Sequence, residues 1–163
     1  MDKHERMEAV YRCFCAFLDG EGLHYQKEEN EGEDKRIYLG FASEALPLHA
    51  LFAFEEEASR IYVGSLLPAE AGAERADELV RAVLRINQVV AVGTFCVNEE
   101  SGACTFESHE TVAGVNAFSD DYPARVIGST FAALKQYGGQ LVEVARGTRT
   151  ADEIVTGVEE DDE

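Results

Sequence analysis

Three short runs of alternating apolar residues, set close together between Arg36 and Leu66, constrain the fold more than any other feature of this chain. In RIYLGFA, Ile37, Leu39 and Phe41 fall on one side. In LHALFAFE, after Pro47, Leu48, Ala50, Phe52 and Phe54 do the same; in RIYVGSL, Ile61 and Val63 continue the pattern, with Tyr62 turned the other way. A period of two places each set on one face of a strand. The connections are only a few residues long and are acidic or glycine-bearing, whereas a parallel pair needs a crossover of about a dozen residues or more. These strands are therefore antiparallel neighbours. Ahead of them, LHYQKEE (Leu23–Glu29) is a polar strand suited to a sheet edge, where charge discourages unwanted pairing, and NEGED (Asn30–Asp34) reads as a turn.

On either side of this block the period changes to that of a helix. Met7, Val10, Tyr11, Phe14, Phe17 and Leu18 form one stripe, with Cys13 and Cys15 on its two borders, and DGEG (Asp19–Gly22) ends it. After Pro68 a second stripe runs through Leu79, Val83, Ile86 and Val90, with Val80 beside it. A third helix follows NAFSDDYP, where Ser119, Asp120 or Asp121 can cap and Pro123 suits the first turn. Ile127, Phe131, Leu134, Leu141 and Ala145 share its inner face with Gly138. A glycine there costs about 1 kcal/mol of helix propensity relative to alanine, which points to a close approach to another backbone or a break in the helix. Gly147 stops the last turn, and TADEIV forms a short helical coda.

Between the second and third helices, TFCVNEESGACTFES forms a hairpin. With Glu99–Gly102 as a four-residue loop, Val97 faces Cys104 and Phe95 faces Phe106, so all four share an apolar face while Cys96 points the other way. Opposing Cys96 to Cys104 would scramble both faces. The two cysteines therefore form neither a disulfide nor a shared metal site.

The stretch LVRAVLRINQVVAVGTFCVNEESGACTFESHETVAG resembles the YbjN family, bacterial sensory transduction regulators with a fold like that of type III secretion chaperones. The matching features are Asn87 late in the second helix, Gly93 and Phe95 opening a strand, an acidic turn ending in glycine (Glu99, Glu100, Gly102) and a return strand. Tyr122-Pro123 at the entry to the final helix and a glycine followed by TADE are also similar, and the likeness spans roughly Glu5 to Val155. Ala91-Val92 departs from the pattern, since relatives often carry a proline before the glycine. The resemblance implies homodimerisation, with the second helix and the following hairpin as interface: Val83, Ile86, Asn87 and Val90. It carries over no catalytic residues.

Pattern and resemblance agree on an α+β fold. A mainly antiparallel sheet carries three helices in the order α-β(3-4)-α-β-β-α, as one domain over residues 1–157. Residues 158–163, VEEDDE, read as a disordered acidic tail. If the helices cover one face of the sheet, Tyr38, Leu51 and Tyr62 line the other, as a surface for a protein partner.

Charge narrows the partners. Thirty-two acidic residues against 14 basic give a formal net charge of -18, which argues against nucleic acid and membrane surfaces. The longest uncharged run, Ile86–Asn98, is too short to cross a bilayer, and the N-terminal stretch has no apolar core followed by a cleavage site. Four cysteines without a C-x-x-C fit reduced thiols in a cytoplasmic protein.

Chemistry-bearing constellations are sparse. No G-x-S-x-G, Walker A or G-x-G-x-x-G motif occurs, and no cofactor is implied. Glu107 and His109 share a strand face, but a closed metal site needs further ligands that the sequence does not nominate. Cys13 beside Arg12, with His24 not far on, reads as an ordinary helix-border cysteine rather than a thiolate with its base. The expectation is a non-catalytic protein-binding domain, a chaperone-like adaptor or regulator. The competing classes are a small-ligand sensor, which needs a concave pocket ringed by a few polar groups, and an acidic inhibitor or immunity-type protein.

Overall fold

The computed structural model describes residues 1–42 and 46–157; the acidic segment 158–163 lies outside them. Helix α1 (Lys3–Gly20) opens with a capping box: Asp2 accepts from the Glu5 amide at 2.8 Å while the Glu5 carboxylate accepts from the Asp2 amide at 3.0 Å. Strands β1 (Tyr25–Glu28), β2 (Lys35–Ala42), β3 (Pro47–Glu55) and β4 (Arg60–Glu70) follow, then α2 (Gly72–Asn87), β5 (Thr94–Val97) and β6 (Ala103–Thr111). The chain closes with α3 (Tyr122–Ala133), α4 (Gly139–Arg146) and a 3-10 turn at Ala151–Glu153. The six strands form one antiparallel sheet in the order β1-β2-β3-β4-β6-β5. The fold is α+β, as the alternation requires.

The core lies between one face of this sheet and the helices. Phe52, Ile37, Ile61, Val63 and Phe106 on the strands are fully buried, as are Val10, Phe14 and Leu18 of α1, Leu79 and Ile86 of α2, and Leu141 of α4. The rings of Phe14 and Phe54 meet edge to face at 5.3 Å. The hairpin has the expected register, Phe95 opposite Phe106 and Val97 opposite Cys104, with Gly102 N–H bonded to Asn98 O at 2.8 Å across the turn.

Two elements depart from the expected outline. β4 does not stop at Pro68 but runs on to Glu70. Its ladder with β6 goes from Leu66–Thr105 to Glu70–Ala103 through a bulge, and Pro68 sits inside that bulge, where no ladder N–H is needed. The third helix is continuous from α3 to α4 but widens into a π-helical turn at Leu134–Gly138. Gly138 ends that turn against Leu67 and Leu48: a Cβ there would lie 3.4 Å from Leu67 Cδ2. The helix therefore widens at that glycine rather than breaking, and what approaches it is a pair of leucine side chains, not another backbone. Gly147, at φ +80°, is the left-handed cap that ends α4.

Candidate functional site

Alternation leaves a second face of the sheet, which no helix of the described residues covers. Across its middle runs the row Gln26, Tyr38, Leu51, Gly64, Glu107, Thr94, one residue from each strand. The next row holds Glu28, Arg36, Ala53, Tyr62 and His109. Tyr38, Leu51 and Tyr62 thus stand together on this face, half-buried, with Tyr38 directly opposite Leu51. Leu66, on the same side of β4, is 65% exposed.

Most polar side chains here are engaged with one another. Arg36 Nη1 lies 3.3 Å from Glu28 Oε2, and the Tyr38 hydroxyl donates to the same oxygen at 3.1 Å. Arg60 pairs with Glu55. The Tyr62 hydroxyl donates to Glu107 Oε1 at 3.2 Å. Burial, followed by the Glu107 charge, pushes the Tyr62 phenol and the Cys96 thiol above their ordinary values. A thiol raised in this way is a poor nucleophile. Up to the bulge in β4 the face carries three carboxylates (Glu28, Glu55, Glu107) against two guanidiniums (Arg36, Arg60). That is a formal balance of -1 in a chain whose total is -18.

Two glycines keep part of the face low. A Cβ on Gly64 would lie 2.7 Å from the Tyr62 hydroxyl oxygen, so the Tyr62 ring lies along the sheet over Gly64. A Cβ on Gly40 would lie 3.2 Å from His49 Nδ1. Beside them opens a groove of about 590 Å³, lined among others by His24, Gln26, Tyr38, His49, Leu51 and Leu66. From the sequence His24 stands out only as a distant base for Cys13, and His49 not at all. The available signal was His49 standing out of phase with Leu48 and Ala50, but phase alone does not say which face stays open.

The residues expected at a dimer interface are placed differently. Ile86 is fully buried and Val83 nearly so in the chain's own core, and Val90 packs against that core. The Asn87 carboxamide makes two bonds to one residue of the edge strand, donating to Phe95 O and accepting from Phe95 N–H, each at 2.9 Å. The stripe on α2 is the one the helix needs to pack inward. The exposed apolar residues of this region are Leu84 and Val89.

The remaining candidates do not assemble. Cys13 lines a different groove, with Phe118 and Asp120, from the one that holds His24. Burial and then Asp120 push its thiol upward, away from a thiolate. Among the described residues no group of three or more His, Cys, Asp and Glu side chains is placed to hold a metal ion, and no helix is long and apolar enough to cross a membrane. Carboxylates gather instead around a groove at the α1 N-terminus, where Glu29, Glu31, Glu33, Asp34, Glu56 and Glu57 face His4 and Lys35. No protein-family model matches this chain, and no curated protein matches it.

Proposed function

We propose that this chain is a non-catalytic protein-binding domain that docks its partner on the open face of the sheet. It would act as a chaperone-like adaptor or regulator in the bacterial cytoplasm, as its resemblance to the YbjN family implies. One observation carries the reading: the uncovered face is where a strongly acidic chain has its charges paired and nearly balanced around half-exposed Tyr38, Leu51 and Tyr62. Interface centres are depleted in charge and enriched in aromatic side chains, and a broad unpartnered apolar surface marks an interaction site. Homodimerisation belongs to the same proposal. A second copy would use exposed surface rather than the α2 stripe, whose Val83 and Ile86 are inside the fold.

The test is a photo-crosslinking amino acid placed at Leu51 or, as a control on another surface, at exposed Leu84. Irradiation in cells is expected to give a protein adduct of defined mass from position 51 and none from position 84. Absence of any protein adduct at position 51 would sink the reading.

A further inference from the structure

We propose that the groove on the open face binds a small carboxylic acid with an apolar body, its carboxylate held between His24 and His49 and its body lying over Leu51 toward Leu66. This goes beyond partner docking and does not depend on it. Register sets the two histidines around one gap. Tyr25 pairs with Leu39, so His24 comes beside Gly40, and Gly40 pairs with His49. With strands about 4.8 Å apart, the two imidazole-bearing residues flank Gly40 at about 10 Å between Cα atoms.

Gly40 is absent from the residues with positive φ, so its backbone does not require glycine. A glycine within a strand lowers stability relative to alanine, and often marks a place where a ligand or another group comes close to the backbone. Its missing side chain lets the His49 ring lean in over the strand, with Nδ1 only 3.2 Å from where a Cβ would stand. Among the described residues neither imidazole has a side-chain partner, so both retain N–H donors for an incoming oxygen. The Tyr38 hydroxyl is held by Glu28, so its ring serves as an apolar wall.

Charge selects an acid. Among the described residues no Asp, Glu, Lys or Arg lines this groove, although the chain holds 32 acidic residues, whereas the groove at the α1 N-terminus is ringed by them. The nearest charges on neighbouring elements are engaged: Glu28 on β1 with Arg36 on β2, Glu55 on β3 with Arg60 on β4, and Glu107 on β6 with the Tyr62 hydroxyl. Tyr25, also at the groove, donates its hydroxyl to Asp19 of α1.

The experiment titrates the intact chain with 1-naphthoate and with uncharged 1-naphthalenemethanol, read by amide and imidazole NMR shifts. Naphthoate is expected to bind about tenfold tighter than the alcohol. Shifts should centre on His24, Gly40 and His49. The His24→Ala, His49→Ala double variant, which removes both N–H donors, is expected to lose that preference. Gly40→Ala is expected to lose binding while keeping or raising its thermal midpoint, since alanine suits a strand better. Equal affinity for acid and alcohol overturns the proposal. So do shifts centred on the Phe118 groove, or a preference for the acid that survives in the double variant.

Discussion

Leu51 and Phe52 are neighbours in β3, yet Phe52 is fully buried under the helices and Leu51 stands half-exposed on the opposite face. The same contrast repeats across the sheet: Val63 with Tyr62, Phe106 with Glu107, Cys104 with Cys96. On the covered face side chains are fixed by close packing, and size and shape decide what fits. On the open face they are fixed by hydrogen bonds and ion pairs among themselves: Tyr38 and Arg36 to Glu28, Tyr62 to Glu107. Stability is concentrated on one face, and the other contributes less to holding the fold together.

Truncation on the two faces gives the largest contrast. Phe52→Ala removes a fully buried ring that packs on Phe14, and should cost about 3–5 kcal/mol in urea unfolding. Leu51→Ala, one residue away, should cost less than about 1 kcal/mol. Comparable losses would mean that something in the folded chain covers Leu51, and the distinction between the faces would fall.

The hairpin cysteines test the same contrast without altering the sequence. Burial pushes the Cys104 thiol up to about 12, whereas Cys96, across the sheet, is only partly buried. In native protein, iodoacetamide should modify Cys96 faster than Cys104 by on the order of a hundredfold or more, because Cys104 waits for the hairpin to open. Peptide mass spectrometry over time resolves the two sites. Equal rates would place both thiols at the surface and refute the register.

How much of this could be read from the chain follows from the same physics. Period-two alternation fixed which residues share a face, and the Phe95–Phe106 register was legible because a slip by one residue would bury Thr105 and expose Phe106. The stripe on α1 was legible for the same kind of reason. Strand length past Pro68 was not, because it depends on β6 continuing alongside and on a bulge that tolerates proline. Nor was the role of Asn87: a late-helix amide looks alike whether it meets a second subunit or the chain's own edge strand. The groove was hidden for a further reason. His24, Gly40 and His49 lie on three strands and meet only once register and the covered face are both known.

Asn87 offers a smaller effect. Phe95 presents its N–H and C=O at the outer edge of β5, and the Asn87 carboxamide occupies both. Asn87→Ala removes two bonds and leaves a partly buried amide and carbonyl unpaired, for a loss of about 1–2 kcal/mol. The Phe95 amide should then exchange with solvent much faster than its neighbours on β6. Unchanged exchange would show that the edge is closed by something other than Asn87.

The smallest expected effect lies on the open face and bears most directly on its charge balance. Tyr62→Phe removes one hydroxyl and its bond to Glu107, a loss of about 0.5–1.5 kcal/mol near neutral pH. Its pH dependence carries the sharper information. Burial and the Glu107 charge raise the Tyr62 phenol above its ordinary value, so the folded state favours the protonated form. The hydroxyl's contribution is therefore fully present below about pH 10 and is lost as pH rises through the raised folded value. Urea midpoints of the two proteins should differ most at neutral pH and converge in alkali. A gap that stays constant with pH would mean that the hydroxyl is hydrated rather than held by Glu107. The open face would then carry an unpaired carboxylate at its centre, as the rest of this acidic surface does, and would lose the charge balance that sets it apart.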